Sequence, residues 1–251
     1  GRNSGVIHSG IYYKPGSFKA RNCVNGRKQL VAFAQEYNID HDICGKIIVA
    51  TQESELPILE AIYQKGLANE IEGMEIIGAE EITAIEPKVV GIKAIKVPVT
   101  GIIDYVGFCQ KLVDLIQEIN PHSELMLNTA FINSFEHKDL SGIQSSKGTI
   151  YCRKKIFCAG LQSDRLAKQD GANPGVRIVG FRGDYYELTP QAKHKVKHLV
   201  YPVPDPAIPL LHFHGRTLTM PYPTLELGNY SCVTLPKEWA KCKGLFPRNS
   251  S

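Results

Sequence analysis

The feature that most constrains this chain is a repeated change of period, from short β-branched runs to segments whose apolar residues recur at helical spacing. Residues 46–50 (KIIVA) are too short and too β-branched for a stable helix. They are followed by a stretch in which Leu56, Leu59 and Tyr63 share one helical face and Pro57 suits a first turn. The change recurs along the chain. Leu30, Phe33, Ala34 and Tyr37 predict an amphipathic helix in the second half of 17–37. Residues 74–78 predict a strand, and 79–86 a short helix stopped by Pro87. Residues 97–104 (VPVTGIID) are extended, and Asp104 is placed to cap a helix lined by Phe108, Leu112, Leu115 and Ile119 that ends at Asn120-Pro121. Further strands are expected over 125–127, 130–135, 149–152, 155–158, 176–188 and 198–202, with a helix over 163–169. Strands interspersed with helices give an α/β or mixed α+β class. Strand order is not fixed by the pattern.

At 251 residues the chain holds one large domain or two modest ones. Its net charge of +4 is mild, and the basic clusters at 153–155 and 193–198 lack interleaved stacking aromatics. Both read as solvated faces, which argues against a nucleic-acid partner. Seven cysteines without a CxxC pair suit reduced thiols inside a cell. No run approaches the roughly 18 apolar residues of a membrane span, and no signal segment opens the chain. The chain starts at Gly1 inside what reads as a motif, so an upstream segment is expected. His212 and His214 alternate but have no third ligand at sensible spacing, so no metal site is expected. Glu86-Pro87 and Asp104 read as helix boundaries and not as paired catalytic carboxylates.

Two stretches carry chemistry. Residues 1–13 (GRNSGVIHSGIYY) concentrate small and hydrogen-bonding side chains suited to wrapping a flat polar cofactor, although composition alone favours a turn-rich surface loop. At 155–160 a strand-like KIFC runs into Ala159-Gly160 ahead of a helix, the arrangement by which α/β sheets turn backbone amides toward a ligand.

These stretches, together with CAGLQSDRLA at 158–167, FRGDYY at 181–186, YPVPDP at 201–206, CGKIIVA at 44–50 and VPVTGIIDY at 97–105, resemble the L-2-hydroxyglutarate oxidase/dehydrogenase family of D-amino-acid-oxidase-like flavoproteins. The resemblance runs in order from Gly1 to about Pro209. It implies FAD as cofactor, with Arg2, Asn3, Ser4, Gly5, Val6 and Ser9 along the flavin and Ala159, Gly160 and Leu161 at a second flavin-contacting turn. Phe181, Arg182, Gly183 and Asp184 match the strand that passes the substrate. The family's GxGxxG phosphate loop occurs nowhere in these residues, and beyond about Leu210 the family pattern ends. A truncated or frame-shifted product is the expectation that follows.

Oxidation of a 2-hydroxy acid needs a base for the hydroxyl proton, for which His8 is the candidate, its other reading being a structural histidine bonded to backbone. It also needs a cation for the substrate carboxylates, for which Arg182 is the candidate, set against a salt bridge to Asp184. The resemblance implies a partial Rossmann-like FAD-binding layer from 1–45 and 140–175. It implies a mixed-sheet substrate domain from 46–139 and 176–209, with a divergent tail over 210–251. The implied partners are a small 2-hydroxy dicarboxylate and a quinone or other electron acceptor. The implied compartment is the cytoplasm, with peripheral attachment to the inner membrane in bacteria, or the mitochondrion in eukaryotes. Three readings stay open: this oxidation, a relative acting on an amino acid or glycerol 3-phosphate, and a non-catalytic remnant.

Overall fold

The computed structural model describes residues 4–178 and 188–204. In chain order the elements are β1 (Val6–Ile7), α1 (Phe18–Glu36), β2 (His41–Asp42), β3 (Lys46–Ala50), α2 (Leu56–Ala68), β4 (Glu75–Gly78) and α3 (Ala79–Ile85). They continue with β5 (Lys93–Val97), β6 (Gly101–Ile103), α4 (Tyr105–Ile119), β7 (Phe131–His137), β8 (Leu140–Ser145), β9 (Gly148–Cys152), α5 (Ser163–Gln169) and β10 (Leu199–Pro202). The protein is a mixed α/β chain with several sheets, as its alternating periods require. It forms two compact units, residues 1–112 with 183–251, and residues 113–182.

In the first unit the principal sheet has the order β10-β3-β5-β4, with β10 parallel to β3 and the other pairs antiparallel. The central strand β3 is buried on both faces, which is why its apolar run is continuous and not alternating. One face, with Ile48 and Ala50, packs with Leu59 and Ile62 of α2 and with Leu199 and Tyr201 of β10. The opposite face, with Ile47 and Val49, packs with Ile77, Ile82 of α3, Ala94 and Val200. Each such fully buried aliphatic side chain contributes about 1.5–3 kcal/mol.

A smaller sheet, β1-β6-β2, pairs Val6 with Ile102 and Asp42 with the same residue on the other side. α1 begins where Ser17 Oγ accepts from the Ala20 amide at 3.2 Å. Its Ala34, with Phe33 and Tyr37, closes on Ile7, Ile39, Ile103 and Phe108. Asp104 caps α4 as expected, accepting from Val106 N at 2.9 Å.

Arg27 of α1 is buried and donates to Glu72 at 2.6 Å and to the Val99 carbonyl at 3.4 Å. Lys28 also pairs with Glu72, and this hydrogen bond, ahead of the contacts from Arg27, holds the Glu72 carboxyl down at about 2. A carboxyl depressed in the folded state contributes stability above its ordinary pKa and loses it as the pH falls toward the folded value. The contribution of Glu72 is therefore expected to fade between about pH 4.5 and pH 2, and Glu72→Gln to flatten that part of an acid-unfolding curve. Because Glu72 is half exposed, the effect should stay within about 1 kcal/mol.

The second unit carries the antiparallel meander β7-β8-β9. Phe135 stands opposite Gly142, where an added Cβ would lie 2.4 Å from the Phe135 ring. Lys155 pairs with Asp170 at 2.6 Å and with Glu136 at 3.2 Å. Two expected strands are absent: 125–127 is irregular and runs into a turn, and 155–158 is irregular and unpaired among the described residues. Strand-like composition becomes a strand only when a neighbouring edge takes its amides and carbonyls. Here Phe157 instead packs edge-on against Phe131, with centroids 5.4 Å apart. Residues 176–178 are likewise not a strand, and the rest of the segment expected over 176–188 lies outside the described residues except for Leu188, which is irregular.

Candidate functional site

The segment from Ser4 to Tyr13 leaves β1 and folds back over α1. β1 is anchored at both ends, by its pairing with β6 and by the Ile103 amide donating to the Gly5 carbonyl at 2.9 Å. Ile7, Ser9 and Ile11 are each 1 % exposed and Gly10 is buried with them, whereas His8 among them is exposed. The backbone at His8 is fixed from beneath by Cys23 of α1, whose Sγ donates to the His8 carbonyl at 3.5 Å. Gly10 has φ +90°, and a Cβ there would stand 3.3 Å from Cys23 Cβ, so both conformation and space call for glycine. At the far end of the loop the Asn69 side chain, at the C-terminus of α2, donates to the carbonyls of Gly10 and Tyr13 at 3.2 and 3.0 Å. The result is a braced loop that holds one imidazole outward.

Ser4 Oγ accepts from the Val6 amide at 3.4 Å and lies 3.4 Å from His8 Nε2. A hydroxyl at that nitrogen steadies the ring and restricts its tautomer. Ser9 Oγ is buried without a hydrogen-bond partner among the described residues. Gly5 has open space where a Cβ would be. An orphaned hydroxyl, an open backbone and an exposed imidazole within six residues fit a flat polar cofactor laid along the loop.

In the second unit, Ala159 is half-buried and Gly160 adopts φ +53° with nothing within 4 Å of a Cβ, followed by Leu161 at 62 % exposure. This turn leads through a short 3-10 turn into α5. Asp164 of α5 accepts from the Ile178 amide at 3.1 Å, and that bond holds its carboxyl below the usual range. The turn thus presents open backbone ahead of a helix, as a dinucleotide-contacting segment would need.

The expected site residues therefore divide. Ser4, Gly5, Val6, His8 and Ser9 are brought together on one loop, with Val6 itself buried in the sheet. Ala159, Gly160 and Leu161 form a turn in the other unit. Arg2, Asn3 and Arg182 lie outside the described residues, as do Gly183, Asp184 and the histidines at 212 and 214. Among the described residues no group of three or more His, Cys, Asp or Glu side chains is arranged for a metal. None of their helices is long and apolar enough to cross a membrane.

Lys46 carries no functional signal in the sequence. It opens β3 yet is only 3 % exposed, with its ammonium 4.9 Å from the Tyr12 centroid and 4.8 Å from that of Tyr201. Burial lowers its pKa to about 7. Burial also raises the Cys23 thiol, partly offset by Arg27 and Lys46. A lysine at the head of a strand ordinarily reads as a solvated end, and no spacing signal marks this one as buried.

The mixed α/β fold is that of a class of FAD-dependent oxidoreductases. The chain belongs to the FAD dependent oxidoreductase family, which matches residues 1–228. It is 40 % identical over 215 residues to L-2-hydroxyglutarate dehydrogenase of Indibacter alkaliphilus, covering 85 % of this chain and 53 % of that protein. It is 42 % identical over 224 residues to the mitochondrial L-2-hydroxyglutarate dehydrogenase of Mus musculus, covering 85 % and 48 %. The chain thus spans about half the length of the curated relatives it matches. Among solved structures it resembles FAD-bound L-alpha-glycerophosphate oxidase from Mycoplasma pneumoniae, with TM-score 0.68 and 26 % identity over 80 % of this chain and 54 % of that one. Glycine oxidase from Geobacillus kaustophilus shares the fold, with TM-score 0.62 at 16 % identity over 79 % of this chain and 54 % of that one.

Proposed function

We propose that this chain is part of an enzyme that oxidises L-2-hydroxyglutarate to 2-oxoglutarate with FAD. The observation that carries the reading is identity of about 40 % to L-2-hydroxyglutarate dehydrogenases across 85 % of the chain. When bound, FAD supplies the acceptor for the hydride that leaves C2 of the substrate. His8, exposed and steadied by Ser4, takes the hydroxyl proton at its imidazole. Arg182 forks onto a substrate carboxylate and orients the C–H bond. Arg2, Asn3, Ser4, Gly5, Val6 and Ser9, with Ala159, Gly160 and Leu161, are assigned to cofactor contact. In the same reading 1–45 and 140–175 serve the cofactor, 46–139 and 176–209 serve the substrate, and 210–251 serves neither.

Electrons pass on to a quinone or a comparable acceptor. A bacterial protein would work in the cytoplasm or against the inner membrane, and a eukaryotic one in the mitochondrion. The likeness to a glycerophosphate oxidase supports a second reading, oxidation of glycerol 3-phosphate.

The test is to add FAD to the purified chain, remove excess, and follow flavin absorbance under anaerobic L-2-hydroxyglutarate. Retained flavin that bleaches is the expected result, and His8→Asn should slow bleaching by about 10²–10⁴-fold. Bleaching confined to glycerol 3-phosphate or an amino acid would overturn the substrate. A chain that retains no flavin would favour the non-catalytic remnant.

A further inference from the structure

The C-terminal part of α2 lies against the loop that presents His8. The buried residues of α2, Leu59, Ile62 and Gly66, recur at helical spacing, and Asn69 follows three residues after Gly66 on the same side. Ile11 of the loop, 1 % exposed, belongs to the same core as Leu59 and Ile62. A Cβ on Gly66 would stand 3.0 Å from Ile11 Cγ1 and closer still to Met74, so glycine here lets helix and loop approach.

Asn69 reaches both ends of the turn that contains Ile11. The Tyr13 amide donates to the Gly10 carbonyl at 3.1 Å and closes that turn. The Asn69 side-chain nitrogen donates to the same Gly10 carbonyl at 3.2 Å and to the Tyr13 carbonyl at 3.0 Å. A side-chain amide has two hydrogens to give, and both are committed to the loop. The last turn of α2 is closed without them, by the Asn69 backbone amide donating to the carbonyls of Lys65 and Gly66. Asn69 is buried, so water does not readily replace either bond.

Gly10 is where this restraint matters. Its φ of +90° is one of many conformations a glycine can take, and a rotation there would swing the preceding residues, His8 among them. Holding the Gly10 carbonyl fixes the plane of the peptide that follows it, and holding the Tyr13 carbonyl fixes the far end of the turn.

We propose that Asn69 is a positioning residue for the cofactor loop: by gripping the Gly10 and Tyr13 carbonyls it sets the direction of residues 4–9, and with it where the His8 imidazole and the Ser9 hydroxyl stand toward FAD. The proposal rests on the reading of this loop as the flavin contact. Asn69 acts through the loop and takes no part in the chemistry.

The experiment compares the 251-residue chain with Asn69→Asp, which keeps the shape but has no donor once ionised, and with Asn69→Ala, which removes the donors without adding charge. Amide hydrogen exchange at pH 8 without FAD is expected to quicken about tenfold or more at Tyr13 in both variants, with the amides of β3 unchanged. FAD affinity, read by quenching of flavin fluorescence, is expected to fall by about 10–100-fold. Exchange at Tyr13 that stays at the parent rate in both variants would overturn the proposal, and so would faster exchange with unaltered FAD affinity. If Asn69→Asp quickens exchange in β3 as well, it has loosened the whole sheet, and Asn69→Ala decides alone. A parent chain that binds no FAD counts against the proposed function, while exchange at Tyr13 still decides whether Asn69 positions the loop.

Discussion

Replacing Glu86 with alanine is expected to destabilise the chain by about 3–5 kcal/mol, measured by urea unfolding followed by circular dichroism. Glu86 follows α3 and is 0 % exposed. Its Oε1 accepts from the Lys197 amide at 2.7 Å, from the His198 amide at 2.5 Å and from His198 Nδ1 at 3.0 Å. One buried oxygen thus gathers three donors from a segment more than a hundred residues later, at the entrance to β10. Alanine removes the acceptor and leaves two backbone amides to find water or go unpaired, each costing about 1–3 kcal/mol. The damage should extend to β10, whose parallel pairing with β3 starts at Leu199 opposite Lys46. Glu86→Gln keeps an acceptor for the amides and should cost roughly half as much. A loss below about 1 kcal/mol in the alanine variant would mean that this carboxylate does not tie β10 to the sheet.

The helices and the central strand were legible because their signals are local. KIIVA has one reading, and Asp104 announces α4 by a side chain that accepts from a nearby amide, whereas α1 starts at Phe18, well before the second half of 17–37 in which the spacing predicts a helix. The failures share a cause. The two-residue strands β1 and β2 exist only because β6 passes between them, and β8, with its Ser141, Gly142 and Gln144, is held by two neighbours despite a weak composition of its own. Conversely 155–158 has strand composition without an edge among the described residues. β5 starts at Lys93, four residues before the extended stretch expected at 97–104: adjacent Ala94 and Ile95 are buried on opposite faces, and the flanking Lys93 and Lys96 break up the apolar run that would mark a buried strand.

The candidate site shows the same division. The loop from Ser4 to Gly10 could be found because its residues are contiguous and resemble a family. What braces it could not. Cys23, Asn69 and Lys46 lie 15, 59 and 38 residues from His8 or Gly10, each an ordinary member of its own element. Glu86 was read as a helix boundary, which it is, but its buried contacts with 197–198 depend on a fold that no local pattern encodes.

Lys46→Met is expected to make the chain more stable at neutral pH, by about 1–3 kcal/mol. Methionine keeps the unbranched stem between Tyr12 and Tyr201 and removes the ammonium from a place where water does not reach it. Contact with two aromatic faces recovers part of the burial penalty, about 2 kcal/mol or more for a desolvated cation against several kcal/mol for burying an ion, so a net gain should remain. The pH dependence identifies the cause. The amine's folded pKa, about 7, lies below its ordinary value of 10.5. Below about pH 7 the folded and unfolded chains both carry the proton, and the penalty is full and constant. Between about 7 and 10.5 only the unfolded chain carries it, so the stability of the parent rises with pH. Tyr12 does not confuse this window, since burial pushes its phenol well above the usual range. The methionine variant should lack the Lys46 part of the rise, and its advantage over the parent should shrink as the pH approaches 10. An advantage that stayed constant from pH 6 to about 10 would assign the gain to packing and show that the amine is not titrating in that range.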